Sequence, residues 1–196
     1  QWLSLGLRGN ITDDGLRHLQ GFPHLTILQL SSDFTNAGMV HVASLTDLKN
    51  LAILNCPGVT DDGIQHLHEL TNLTSLSFMG IKLSDAAMAH VARFKELRYL
   101  HLESKAITDE GFSRLAELTK MERLNLWNLG ITDRGLAALK KIPRPHDLTI
   151  ARVGNTDAGL HELKNIKTLQ RLSILSCGVT DAGVEDLKKA MPGVRV

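Results

Sequence analysis

Nine histidines, two cysteines and a recurring aspartate are the residues of this 196-residue chain whose chemistry invites a site. His18, His41, His66 and His90 each stand six residues after a Thr or Ser, so they form a row along one face of a repeated element. Zinc is the chemistry such a row suggests, and geometry argues against it. Neighbouring helices lie ~10 Å apart, too far for adjacent imidazoles to share one ion at ~2 Å per bond. His66, His68 and Glu69 lack the His-Glu-x-x-His spacing, and His161-Glu162 has Asn165 where a second ligand would stand. The aspartates or asparagine at 13, 36, 61, 85, 109, 133, 157 and 181 suggest a calcium ladder. One carboxylate per turn of chain does not supply the six or more oxygens calcium takes at one point, so no metal is expected there. Gly-x-Ser-x-Gly elbows, phosphate loops, dinucleotide fingerprints and Cys-x-x-Cys pairs are all missing, and the expectation is a chain without catalytic residues or cofactor. The sequons at Asn10 and Asn72 are short enough to arise by chance and carry no glycosylation assignment.

The elements that position these residues come from an internal repeat. Its core reads Ile11-Thr12-Asp13-Asp14-Gly15 at the start and Val179-Thr180-Asp181-Ala182-Gly183 at the end. The Thr or Ser recurs at 12, 35, 60, 84, 108, 132, 156 and 180, in steps of 23, 25 and then five of 24 residues. Before each motif lies an apolar-x-x-apolar-x-apolar stretch such as Leu97, Leu100 and Leu102, and after it come apolar residues three apart, such as Leu136, Leu139 and Ile142. Each unit therefore reads as strand, turn, short helix and return. The Thr or Ser is the natural N-cap, and the Asp beside it favours the positive end of the helix dipole. Ala87 replaces the motif glycine in the fourth unit, so a positive φ is not required there; residue 87 should be helical, and close approach of helix to sheet explains the glycine elsewhere.

A unit of 24 residues buries too little apolar surface to offset the ordering of its own backbone, so units must stack on one another. Strands pack ~4.8 Å apart and helices ~10 Å, which bends the stack with its strands inside. One domain, residues 1–196, is expected, and a start inside Trp2-Leu3-Ser4-Leu5 implies more chain upstream or ends that self-associate. Cys56 and Cys177 fall at equivalent places five units apart, beyond disulfide reach, and both should be free and largely buried. A formal charge of +1 with interleaved signs gives no basic face for nucleic acid, and no apolar run approaches a membrane span.

These residues resemble leucine-rich-repeat proteins. Leu97-Arg98-Tyr99-Leu100-His101-Leu102 leading to Ile107-Thr108-Asp109-Glu110-Gly111-Phe112 looks like the cysteine-containing class of F-box-type proteins and like bacterial Ile-Thr-Asp-x-Gly-Leu repeat proteins. The resemblance spans nearly the whole chain and implies a right-handed α/β horseshoe of about eight 24-residue repeats, with parallel strands on the concave face and short helices on the convex face. The class has Cys or Asn three residues past the second strand leucine; here Asn10, Cys56 and Cys177 conform, beside Asp33, Ile81, Lys105, Leu129 and Val153. No F-box-like segment precedes the repeats and no cysteine-rich cap flanks them. The seventh unit, with Pro143, Pro145 and Asn155, should hold a frayed or distorted strand.

Alternation along each strand sends two rows to the concave face: Gly6, Gln29, Ala52, Ser77, His101, Asn125, Thr149 and Ser173, then Arg8, Ser31, Leu54, Met79, Glu103, Trp127, Ala151 and Leu175. Met79 and Trp127, with Tyr99, His101, Glu103, Arg123 and Asn125, combine an aromatic anchor with a polar rim, the composition of a protein-binding hot spot. The bland alternative is that these side chains merely tile a bare sheet. The reading that follows is a non-catalytic module binding a protein partner on its concave face. The alternatives are a structural or self-associating solenoid, or the recognition or regulatory domain of a larger enzyme or ubiquitin-ligase-like adaptor.

Overall fold

A computed structural model describes residues 1–6, 11–142 and 145–196. Eight strands, β1 (Trp2–Leu5), β2 (Ile27–Leu30), β3 (Asn50–Leu54), β4 (Ser75–Met79), β5 (Tyr99–Glu103), β6 (Arg123–Trp127), β7 (Asp147–Ala151) and β8 (Arg171–Leu175), form one sheet in sequence order. Every pairing is parallel. A helical return follows each strand. It is a 3₁₀ segment at Asp13–Gly21 in the first unit, then α1 (Asn36–Val42), α2 (Asp61–His66), α3 (Asp85–Val91), α4 (Asp109–Ser113), α5 (Asp133–Ala138), α6 (Asp157–Leu163) and α7 (Asp181–Ala190). The chain is thus an α/β leucine-rich-repeat solenoid of about eight repeats, strands inside and helices outside. Residue 87 lies within α3, as its motif position requires.

Parallel register aligns like with like. Leu28, Leu51, Leu76, Leu100, Leu124, Leu148 and Leu172 form one buried row, and Leu30, Ile53, Phe78, Leu102, Leu126 and Ile150 form the next. Helix residues three apart, such as Leu136 and Leu139, close the core from the other side. At the strand exits Asn55, Gly80, Asn128, Arg152 and Ser176 adopt positive φ, which turns the chain sharply towards the helix layer. Gly80 has a second reason to lack a side chain, because a Cβ there would lie 2.5 Å from Asn55 Oδ1.

The motif aspartate does more than favour its own helix. Asp109 Oδ1 accepts the backbone N–H of Thr132 at 2.8 Å, and its Oδ2 accepts the Thr132 hydroxyl at 2.6 Å. The same pair of bonds joins Asp13 to Thr35, Asp61 to Ser84, Asp85 to Thr108, Asp133 to Thr156 and Asp157 to Thr180. Each motif therefore staples its unit to the next. A carboxylate can only accept, so it takes the hydroxyl proton and leaves the oxygen lone pairs for the helix N–H groups. Side-chain caps duly form at Thr35, Ser84, Thr108, Thr132, Thr156 and Thr180. The two hydroxyls that make none are Thr12, which opens the series, and Thr60, whose oxygen accepts the amide N–H of Asn36 at 2.9 Å.

That staple corrects the reading of the glycine. A Cβ at Gly111 would lie 2.3 Å from Asp85 Oδ1, and one at Gly135, Gly159 or Gly183 would lie 2.5, 2.3 or 2.2 Å from the preceding unit's carboxylate. The close neighbour is that carboxylate, not the sheet. Ala87 occupies the same place in unit four, where the Asp61 to Ser84 bonds remain at 2.9 and 2.5 Å.

Four further expectations change. First, Ser4 pairs with Gln29, so the first unit's outward row begins at Ser4, two residues before the expected Gly6; Arg8, Asn10 and Pro143 lie outside the described residues. Second, β7 is neither frayed nor distorted, since it pairs along its whole length with both β6 and β8. Pro145 precedes the strand, at the place of Leu97 and Met121, where the missing N–H costs a turn bond and no ladder bond. Third, Asn155 is 1% exposed in a row otherwise apolar, and neither of its amide atoms has a hydrogen-bond partner within bonding distance among the described residues. Fourth, Cys177 is only partly buried, unlike Cys56, although neither forms a disulfide. Both thiols lie near backbone carbonyls, Cys56 at 3.4 Å from Leu54 and Cys177 at 3.5 Å from Leu175. Ile81, Leu129 and Val153 fill the same place with apolar bulk, while Asp33 and Lys105 stay exposed.

Candidate partner-binding face

Register places three outward positions on each strand. The first holds Asn50, Ser75, Tyr99, Arg123, Asp147 and Arg171 from β3 to β8. The third holds Ala52, Ser77, His101, Asn125, Thr149 and Ser173, and the fifth holds Leu54, Met79, Glu103, Trp127, Ala151 and Leu175. All seven residues singled out from the sequence lie on this face, and β5 with β6 brings six of them together.

Tyr99 and Trp127 are half-buried and stand at opposite ends of neighbouring strands. Arg123 stacks its guanidinium 5.3 Å from the Tyr99 ring centroid, and the Asn125 amide donates to the Tyr99 hydroxyl at 3.0 Å. Both contacts fix the tyrosine, which stays half-buried. Trp127 stacks on His101 with centroids 6.3 Å apart and planes 16° from parallel. His101 is consequently no rim residue. Only 9% of it is exposed, and its Nε2 has no partner among the described residues. Burial pushes its imidazole below the ordinary value, with the nearby Glu103 carboxylate pulling the other way. The neutral ring acts as a floor under the indole. Ala151, flanked in register by Trp127 and Leu175, has no exposed surface, while Leu175 is 47% exposed. Met79 is half-buried on β4, separated from Trp127 by Glu103.

Sequence reasoning missed Asp147 and Arg171. Asp147 accepts from Arg171 Nε at 2.9 Å and Nη2 at 2.6 Å, a forked pair that holds its carboxyl below the usual range. Their signal was present, because 123, 147 and 171 repeat the outward position of Tyr99 at steps of 24. Between these strands runs a groove of ≈ 250 Å³ lined by Tyr99, Arg123, Asn125, Asp147, Thr149, Arg171 and Ser173. No group of three or more metal-ligating side chains converges among the described residues. Nor, among them, is any helix long and apolar enough to cross a membrane.

Comparison with known proteins agrees with this architecture. A family pattern described as a leucine-rich repeat matches residues 165–188, one unit of the series. No curated protein sequence matches the chain. Among solved structures, an internalin (inlF) from Listeria monocytogenes aligns with a TM-score of 0.76 and 25% identity, covering 98% of this chain and 52% of that one. The chain thus spans about half the length of that internalin. Internalin C2 from the same organism aligns with a TM-score of 0.70 and 20% identity over 88% of this chain and 80% of its own, a likeness of fold alone. Repeated motif, sequential parallel sheet and shared architecture together give this chain the leucine-rich-repeat fold.

Proposed function

We propose that the chain is a non-catalytic recognition module that binds a protein partner on its concave sheet, through Trp127, Tyr99 and the polar groups around them. The observation that carries this reading is Trp127 itself. It is a large apolar side chain turned away from the core, seated on a buried imidazole, with Glu103 beside it in register and Asn125 two residues before it on the same strand. Rigid aromatic anchors ringed by hydrogen-bonding groups are what dominate protein interfaces, and a pre-stacked indole loses little side-chain entropy on binding. The leucine-rich-repeat fold, shared with internalins, supports a protein-interaction role in general.

The test compares proteins recovered from source-cell extract by wild type, by Trp127→Ala with Tyr99→Ala, and by a convex control, His90→Ala. The expected result is a specific protein retained by wild type and control but lost with the concave pair. Equal recovery by all three would remove this face from consideration.

A further inference from the structure

The concave face carries two strips of different chemistry, and their spacing describes what fits. Along the strand starts, Tyr99, Arg123, Asp147 and Arg171 stand side by side, and Arg195 bridges in register beyond Arg171. Asp147 is engaged by Nε and Nη2 of Arg171, which leaves Nη1 of that fork. Arg123 rests on the Tyr99 ring and makes no ion pair or hydrogen bond through its guanidinium among the described residues. On a chain of formal charge +1, this strip therefore holds a local excess of positive charge above the groove. The Thr149 and Ser173 side chains line that groove, and their hydroxyls make no hydrogen bond among the described residues. Along the strand ends lies the other strip, apolar at Trp127 and Leu175. Trp127 lies four residue steps along the strand from Arg123, which is about 13 Å at ~3.3 Å per residue.

Resting on the reading of this face as the binding surface, we infer that the contacting segment of the partner presents an acidic side chain to Arg123 and Arg171, and an apolar side chain to Trp127 about 13 Å away. A single carboxylate matches the donors left open, Arg123 with Nη1 of Arg171, and the flanking hydroxyls complete its shell. A polyphosphate backbone fits poorly, because a run of charges crossing the face meets Asp147 and then Glu103. Specificity on this face comes from one neutralised carboxylate between two arginines, beside an aromatic shelf.

A random library of 12-residue peptides, selected on the purified chain, tests this. Selected sequences should share an acidic and an apolar residue three to five positions apart. In a Trp2→Phe background, where Trp127 is the sole tryptophan, the selected consensus peptide should change the indole fluorescence on binding. Arg123→Ala with Arg171→Ala should weaken that peptide by about tenfold or more, and replacing the peptide's acid by Ser should then cost nothing further. Peptides that respond to Trp127→Ala but not to the arginine pair would overturn the acidic requirement and leave the concave face standing. Peptides indifferent to all three positions, or no selected peptide at all, would contradict both. Equal competition by heparin or single-stranded DNA would replace the acidic-peptide reading with a general polyanion surface.

Discussion

The outer belt and the inner sheet of this solenoid follow opposite habits. On the belt, Asp85, Thr108, Gly111, Asp109, Thr132 and Gly135 repeat the same three groups unit after unit, because the carboxylate and hydroxyl make the staple and the glycine leaves room beside it. On the sheet, the equivalent outward positions read Glu103, Trp127, Ala151 and Leu175, with no two alike. Where stacking sets the demand, neighbouring units need identical parts; where nothing in the stack constrains a side chain, the residues are free to differ and to recognise. Damage to the belt should therefore appear as lost stability, and damage to the sheet as lost binding.

The largest effect should come from Gly111→Val, whose Cβ would press on Asp85 at 2.3 Å from Oδ1 and 2.7 Å from Cα. A loss of about 3 kcal/mol is expected in urea unfolding, from overpacking against backbone that cannot retreat. Next is Asp109→Ala, which removes both acceptors from Thr132 and should cost about 2 kcal/mol. Asp109→Asn should retain most of that stability, as Asn36 does for Thr60, while losing the Thr132 cap. If the Ala and Asn variants unfold alike, the staple is not what joins the units.

Asn155→Ile should act in the opposite direction. It replaces a buried amide that has no hydrogen-bond partner among the described residues by the residue type found at Ile107 and Ile131, and a gain of about 1–2 kcal/mol is expected by the same denaturation. A loss instead would mean that the amide is hydrogen-bonded in solution.

The smallest effect concerns acidity. His101 has a folded pKa below its ordinary value because burial disfavours the cation, so between the unfolded value near ~6.5 and the folded value the unfolded chain binds more protons. Stability contributed by the neutral ring is present above that window and lost as pH falls through it. Trp127 fluorescence in the Trp2→Phe background should change over the same range, and His101→Leu should abolish that change. The Asp157 staple follows later on acidification. Thr180 N–H and hydroxyl hold the Asp157 carboxyl below the usual range, so its contribution survives until pH falls below the ordinary carboxylate value.

Much of the fold was legible because the repeat announces itself in Thr-Asp-x-Gly and in paired strand leucines. The first unit misled because Leu3, Leu5 and Leu7 offer two equally good frames, and only pairing of Ser4 with Gln29 chooses between them. The staple was hidden because its partners lie 22 to 24 residues apart, whereas a cap explains each Thr-Asp locally. On the face, alternation found Tyr99, Arg123 and Trp127, but His101 proved buried because a neighbouring ring lies over it, which spacing alone does not encode. Asp147 and Arg171 stayed hidden because each precedes its first strand leucine, outside the two rows that alternation between and after the leucines defines.

The division between belt and sheet is tested most directly by acrylamide quenching of Trp127 in the Trp2→Phe protein. An indole on the concave face, half-covered by His101, should be quenched at a rate between those of a free and a buried tryptophan, and Asp109→Ala should leave that rate unchanged in folded protein. Quenching no greater than for an indole sealed in a core would contradict the placement of Trp127 and, with it, the binding surface built around it.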